Sequence, residues 1–170
     1  MIAFGSKAQD EALSTLVAEV DKVVTTLGFV RDRFGHWKRQ VGWKTEEIDL
    51  VVKGGSLKCV LPSFRVLLPL TKPSPSGETH QHIAQTNVAR ILRPDDGPDF
   101  DVKVPSMSFG KGRFVQTVVT DISNAMSWFE QFSSPQTCKT NLAKFLKPGC
   151  PAYVDVEKYL NGIGTGEQGK

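Results

Sequence analysis

His80 and His82, spaced two apart in Thr79-His80-Gln81-His82, are the nearest thing in this chain to a metal-binding motif. In extended backbone, residues two apart project to the same side, so both imidazoles can address one ion. Asp95, Asp96 and Asp99 follow as carboxylate candidates. An isolated His-x-His is a weak signal, and Pro73, Pro75 and Gly77 just before it point to an exposed loop. No metal site is therefore expected. His80, His82, Asp95 and Asp96 form the alternative set, which would belong to a small metal-dependent hydrolase.

Other chemistry is weaker still. No Ser or Cys sits in a nucleophile elbow beside a histidine. Ser108-Phe-Gly-Lys-Gly-Arg resembles a phosphate loop only superficially. Pro105 stands where the first glycine should be, and Gly112 follows Lys111 in place of Ser or Thr. A basic turn between two strands is the better account. Glu46 and Glu47 are adjacent, so on a strand they face opposite sides and make a poor acid–base pair. Cys59, Cys138 and Cys150 are too few and too widely spaced for a disulfide framework or a zinc pattern. Cys138 falls on an apolar helical stripe and reads as core. No catalytic residue and no cofactor are expected.

The remaining concentration of chemistry is aromatic and basic: Arg31, Arg33, Phe34, His36, Trp37, Lys38, Arg39, Trp43 and Lys44. On an exposed face, rings stack bases and cations hold phosphate. The plainer account packs the Trp rings on the first helix and lays the basic stems along the sheet edge. Arg31, Arg33, His36, Trp37, Arg39 and Trp43 are the candidate partner-binding residues under either account. Between Phe29 and Arg65 eight bases face four acids, while Arg93 to Asp101 holds four Asp and one Arg. A basic region and an acidic loop thus coexist in a chain whose net charge is only +3, too small to require nucleic acid or a membrane.

The elements that must position these residues follow from periodicity. Ser6-Lys7-Ala8-Gln9 has the form of a capping box. Leu13, Leu16, Val17, Val20, Val24 and Leu27 then recur on one helical stripe, and Gly28 stops it. Trp37, Arg39, Val41 and Trp43 share one strand face, with Lys38, Gln40 and Lys44 on the other. Ile48, Leu50 and Val52 alternate in the next strand, and Gly54-Gly55 turns the chain back through Leu57, Cys59 and Leu61. Phe64 to Leu70 is almost all apolar, as in a central strand. Ile83 to Leu92 reads as a strand or a short helix leading into one. Phe100 to Val104 and Phe114 to Val119 read as strands. Asp121 is expected to cap a helix lined by Ile122, Ala125, Met126, Phe129 and Phe132. Ser134-Pro135 starts another, lined by Cys138, Leu142, Phe145 and Leu146. A last short helix is expected over Tyr153 to Leu160.

At 170 residues, 39% hydrophobic and 23% charged, the chain reads as an ordinary globular protein. Residues 1–160 are expected to form a single α+β domain, and 161–170 a flexible Gly-rich tail. An N-terminal helix should pack on a largely antiparallel sheet, with two or three C-terminal helices. No apolar stretch approaches the roughly 20 residues needed to span a bilayer, and the N-terminus lacks a signal-peptide pattern. With free thiols, this points to the cytoplasm and to no membrane partner.

A helix ending in Leu27-Gly28-Phe29, a basic segment with a Trp, strands, and a late helix holding Ser127-Trp128-Phe129 follow in that order. In this the chain resembles the family called domain of unknown function 4304, over roughly residues 8 to 146. The resemblance implies an α+β domain and brings no catalytic residues with it. By elimination, and from the uneven charge, the expected function is a non-catalytic binding module recognising a protein partner, an inhibitor or immunity-type protein being one concrete form. The alternatives are a nucleic-acid-binding domain using the aromatic-basic segment, and the metal-dependent hydrolase.

Overall fold

The computed structural model describes residues 4–55, 57–69, 80–95 and 101–164. Helix α1 runs over Phe4–Thr25. Its stripe is the expected one: Leu13, Leu16, Val17, Val20 and Val24 are all buried. The capping box does not start it. The helix begins at Phe4, and Gln9 is instead buried, donating its amide to the Val104 carbonyl at 3.4 Å. Gly28, at φ +86°, ends the helix. The Gly28 N–H bonds Thr25 O at 3.1 Å and the Phe29 N–H bonds Val24 O at 3.2 Å, a Schellman closure that takes up two terminal carbonyls. Leu27 lies in this closing turn and is 42% exposed, against expectation. Helical spacing no longer fixes its direction once the helix has ended.

Among the described residues, six strands form a largely antiparallel sheet. β1 (Val30–Arg33), β2 (His36–Val41), β3 (Lys44–Lys53), β4 (Cys59–Pro69) and β5 (His80–Asn87) lie side by side in chain order, and the two-residue β6 (Val102–Lys103) also pairs with β4. Gly54 turns β3 towards β4 at φ +88°, where an added Cβ would sit 2.2 Å from Leu57 O. Only glycine fits that turn.

Several elements differ from the sequence reading. Gly42-Trp43 is a turn, so Trp43 does not share a strand face with Trp37. Lys44 opens a new strand and is buried, so it does not share a strand face with Lys38 and Gln40. Leu57 precedes β4 and is 79% exposed. Asn87 bonds the Arg90 N–H through its side chain and caps a short helix, α2 (Val88–Leu92), directly after β5, so the ambiguous stretch is strand then helix.

The largest departure is Phe114 to Val119, which is helix. A 3-10 turn (Ser108–Gly110) leads into α3 (Lys111–Ala125). Phe114, Val115, Val118, Ile122 and Ala125 are its buried stripe, a helical spacing that outweighs the local β-branched content. Asp121 therefore sits inside a helix, and its carboxylate receives the Arg93 guanidinium at 3.2 Å. A second 3-10 segment covers Met126–Phe132. Ser134 caps α4 (Pro135–Asn141) as expected, accepting from the Thr137 N–H at 3.0 Å, and α5 runs over Pro151–Gly164. The stretch read as a tail from Asn161 thus begins inside α5.

The chain forms two compact units: Met1–Arg39, Glu47–Phe64 and Thr86–Met126 in one, and Gln40–Glu46, Arg65–Gln85 and Ser127–Lys170 in the other. In the first, α1 packs beside α3 and also contacts β1. In the second, α4 packs beside α5, and Trp128, Phe132 and Phe145 form an edge-on and tilted aromatic cluster with centroids 5.0–6.0 Å apart.

Candidate functional site

The β1–β2 hairpin carries most of the candidate residues, and it sorts them into buried and exposed sets. Its register sets Arg31 across from Trp37 and Arg33 across from His36. Trp37 is fully buried, and its indole N–H goes to Asp21 on α1 at 2.8 Å. Arg31 reaches the same carboxylate at 3.9 Å. Arg39 is drawn back onto the protein: it donates to Leu27 O at 2.6 Å and lies over the Phe29 ring, 4.5 Å from its centroid.

His36 is buried between two carboxylates. Its Nδ1 bonds Asp32 on β1, and its Nε2 lies 3.4 Å from Glu47 on β3. Burial by itself would raise the Asp32 carboxyl. The hydrogen bond and charge of His36, with Lys38 at 3.5 Å, outweigh it and hold Asp32 below its ordinary value. The two carboxylates address opposite ring nitrogens, which is geometry for fixing an imidazole between two strands. It does not suit presenting one ion with several ligands.

The exposed set is β1 itself. All of Val30, Arg31, Asp32 and Arg33 are exposed, and β1 stands at one end of the strand order. Val30 is 65% exposed and Phe34, at the turn, 59%. Arg33 meets Asp49 at 3.7 Å. The Arg33 side chain is 61% exposed and that of Asp49 15%, so only one partner of this pair is well solvated.

Trp43 belongs to the second unit. It is half-buried, and its carbonyl accepts from the Tyr159 hydroxyl at 3.3 Å. Beside it is a pair that sequence reasoning missed. Lys44 and Glu46 are both buried and joined as an ion pair. The Lys44 ammonium also lies 5.7 Å from the Trp43 ring centroid and 6.0 Å from that of Phe132. The signal was the strand period, because Lys44 and Glu46 extend the buried set that continues through Ile48 and Leu50. Cys138 is fully buried in the same unit. Burial pushes its thiol up to about 11, with the Lys44 charge opposing only partly, so it stays a protonated core thiol.

The histidine motif lies on β5, not in a loop. His82 and Asp95 are exposed. The His80 side chain and Asp96 lie outside what is described, as do Asp99 and the Pro73–Gly77 stretch. Among the described residues no three His, Cys, Asp or Glu side chains converge as a metal site, and no helix is long and apolar enough to cross a membrane. Compared with known proteins, the chain matches no family model, no curated protein and no solved structure.

Proposed function

We propose that the chain is a non-catalytic binding module that recognises a protein partner, with an inhibitor or immunity-type role as its concrete form, and that it docks through β1. The observation behind this reading is the exposed edge strand, with Val30 at 65% exposure within it and Phe34 at 59% in the turn that follows. An edge strand offers backbone donors and acceptors to an incoming strand, and side chains beside it supply selectivity. A second copy is a poor occupant. Antiparallel self-pairing centred on Asp32 would set Asp32 against Asp32 and Arg31 against Arg33, and like charges directly opposite are destabilising. An acidic strand with apolar neighbours suits the Arg31, Arg33, Val30 and Phe34 surface better.

In this reading the buried candidates act indirectly. His36, held by Asp32 and Glu47, and Trp37, held by Asp21, stiffen the hairpin. A nucleic-acid ligand at the same segment would have to do without the Trp37 ring, which is fully buried.

The test is affinity capture from native lysate with nuclease-treated and untreated arms, using the wild type and a Val30→Lys/Phe34→Lys variant. A captured protein that survives nuclease and is lost with the variant is the expected result. Capture abolished by nuclease, or unaffected by the variant, would overturn the reading.

A further inference from the structure

We propose that Leu57 and Lys58, just before β4, and the segment from Lys103 to Arg113 form a contact site for an anionic lipid surface. The site is remote in sequence from β1 and does not depend on the β1 reading. Three of the most exposed large apolar side chains are here: Leu57 at 79%, Met107 at 62% and Phe109 at 88%. They come from two adjoining segments. The Val104 N–H bonds Lys58 O at 2.9 Å, and Lys103 pairs with Cys59 in register. The later loop folds back on itself, since a Cβ on Gly110 would meet Pro105 at 3.0 Å. Both segments are tied to α1, through Gln9 to Val104 O and Lys58 to Asp10.

Charge chooses the occupant. From Val102 to Thr120 the chain holds Lys103, Lys111 and Arg113 and no acid. Among the described residues, two of the acids nearby already face cations. Asp10 takes Lys58 and Asp101 takes Lys53, while Glu11 lines a shallow groove with Lys7 and Lys111. Side chains this exposed have no groove of their own, so an occupant must close around them. A headgroup layer does so without a preformed pocket, taking apolar tips into its acyl boundary while anionic headgroups meet the cations. Such contact needs no membrane-spanning helix.

The experiment is co-sedimentation of the full chain with vesicles of phosphatidylcholine alone, or of phosphatidylcholine with phosphatidylserine. Binding to the anionic vesicles is expected, weakening as salt rises. Met107→Ser/Phe109→Ser should lower it about tenfold or more by removing the inserted apolar area, and Lys111→Glu/Arg113→Glu should lower it as well. As a second readout, a Phe109→Trp variant should shift its emission to the blue when anionic vesicles are added. A Val30→Ser/Phe34→Ser variant, which adds no charge, should bind vesicles as the wild type does. No vesicle binding, binding retained by the double Ser variant, or unchanged Phe109→Trp emission would overturn the proposal. Equal affinity for polyglutamate or single-stranded DNA would overturn it too, in favour of a general anion-binding or protein-facing surface.

Discussion

Trp37 donates its indole N–H to Asp21 at 2.8 Å, which ties β2 to α1 beneath the exposed edge strand. The ring is fully buried, so its loss removes both packing and an anchored hydrogen bond. Trp37→Ala is expected to cost about 3–5 kcal/mol, as large aromatic deletions in cores do. Asp21→Ala should cost about 1–3 kcal/mol, the range for leaving a buried donor without its acceptor. Urea denaturation of both variants measures this. An unchanged midpoint for Trp37→Ala would show that the hairpin is not part of the cooperative core.

The Asp32–His36 pair makes the hairpin acid-sensitive in a definite direction. The Asp32 carboxyl is held below its ordinary value in the folded protein. A depressed carboxylate contributes stability that is fully present above its unfolded pKa of about 3.9. That contribution is lost as pH falls through the lower, folded value. Asp32→Asn should therefore destabilise the protein at neutral pH and flatten the acid limb of the stability profile below about pH 4. Thermal melts of wild type and variant across the acid range test it, and parallel profiles would contradict the linkage.

Much of the fold could be read from period and punctuation. The α1 stripe, the Gly28 stop, the Gly54 turn and the Ser134 cap each rest on a local rule, and each is present. Glu46 and Glu47 do face opposite sides, one towards Lys44 and the other towards His36. Two of the failures share a cause. A capping residue or a turn shifts every later assignment, and Gly42-Trp43 and Gly110 were not recognised as boundaries. Missing the first put Lys44 on the wrong face. Missing the second let a β-branched run stand as a strand and made Asp121 a cap, although no side chain caps α3. The His36 cluster was not legible because it depends on which residues of three strands lie side by side. That is set by the hairpin register, with its irregularity between Arg31 and Arg33, and not by spacing along the chain.

The aromatic-basic segment allows a sharp test against nucleic acid. Four phosphate contacts from Arg31, Arg33, Lys38 and Arg39 to a single strand would give a slope of log K against log salt near about −3, at roughly −0.7 for each. Arg31, Arg33 and Lys38 instead face Asp21, Asp49 and Asp32, and Arg39 caps Leu27 O. Fluorescence anisotropy with labelled single-stranded DNA and RNA should show weak binding at physiological salt. Binding that is tight there and lost with Arg39→Ala would favour the nucleic-acid alternative.

The buried Lys44–Glu46 pair should behave asymmetrically under mutation. Both side chains are 2% exposed, so both charges have lost their water, and their attraction has to offset that desolvation. Removing one partner leaves the cost of the other in place. Glu46→Gln keeps the ammonium beside Trp43 and Phe132 but takes away its counter-charge, and should cost about 3–5 kcal/mol. Ring faces at 5.7 and 6.0 Å recover only part of this, since such contacts are worth about 0.5–2 kcal/mol. Lys44→Met/Glu46→Leu removes both charges at similar volume and should be near neutral, or more stable by about 1–4 kcal/mol. A double-mutant cycle by chemical denaturation, completed with Lys44→Met and Glu46→Leu, separates the pair's coupling from packing losses. If the double variant is as unstable as the sum of the two singles, the residues do not act as a pair.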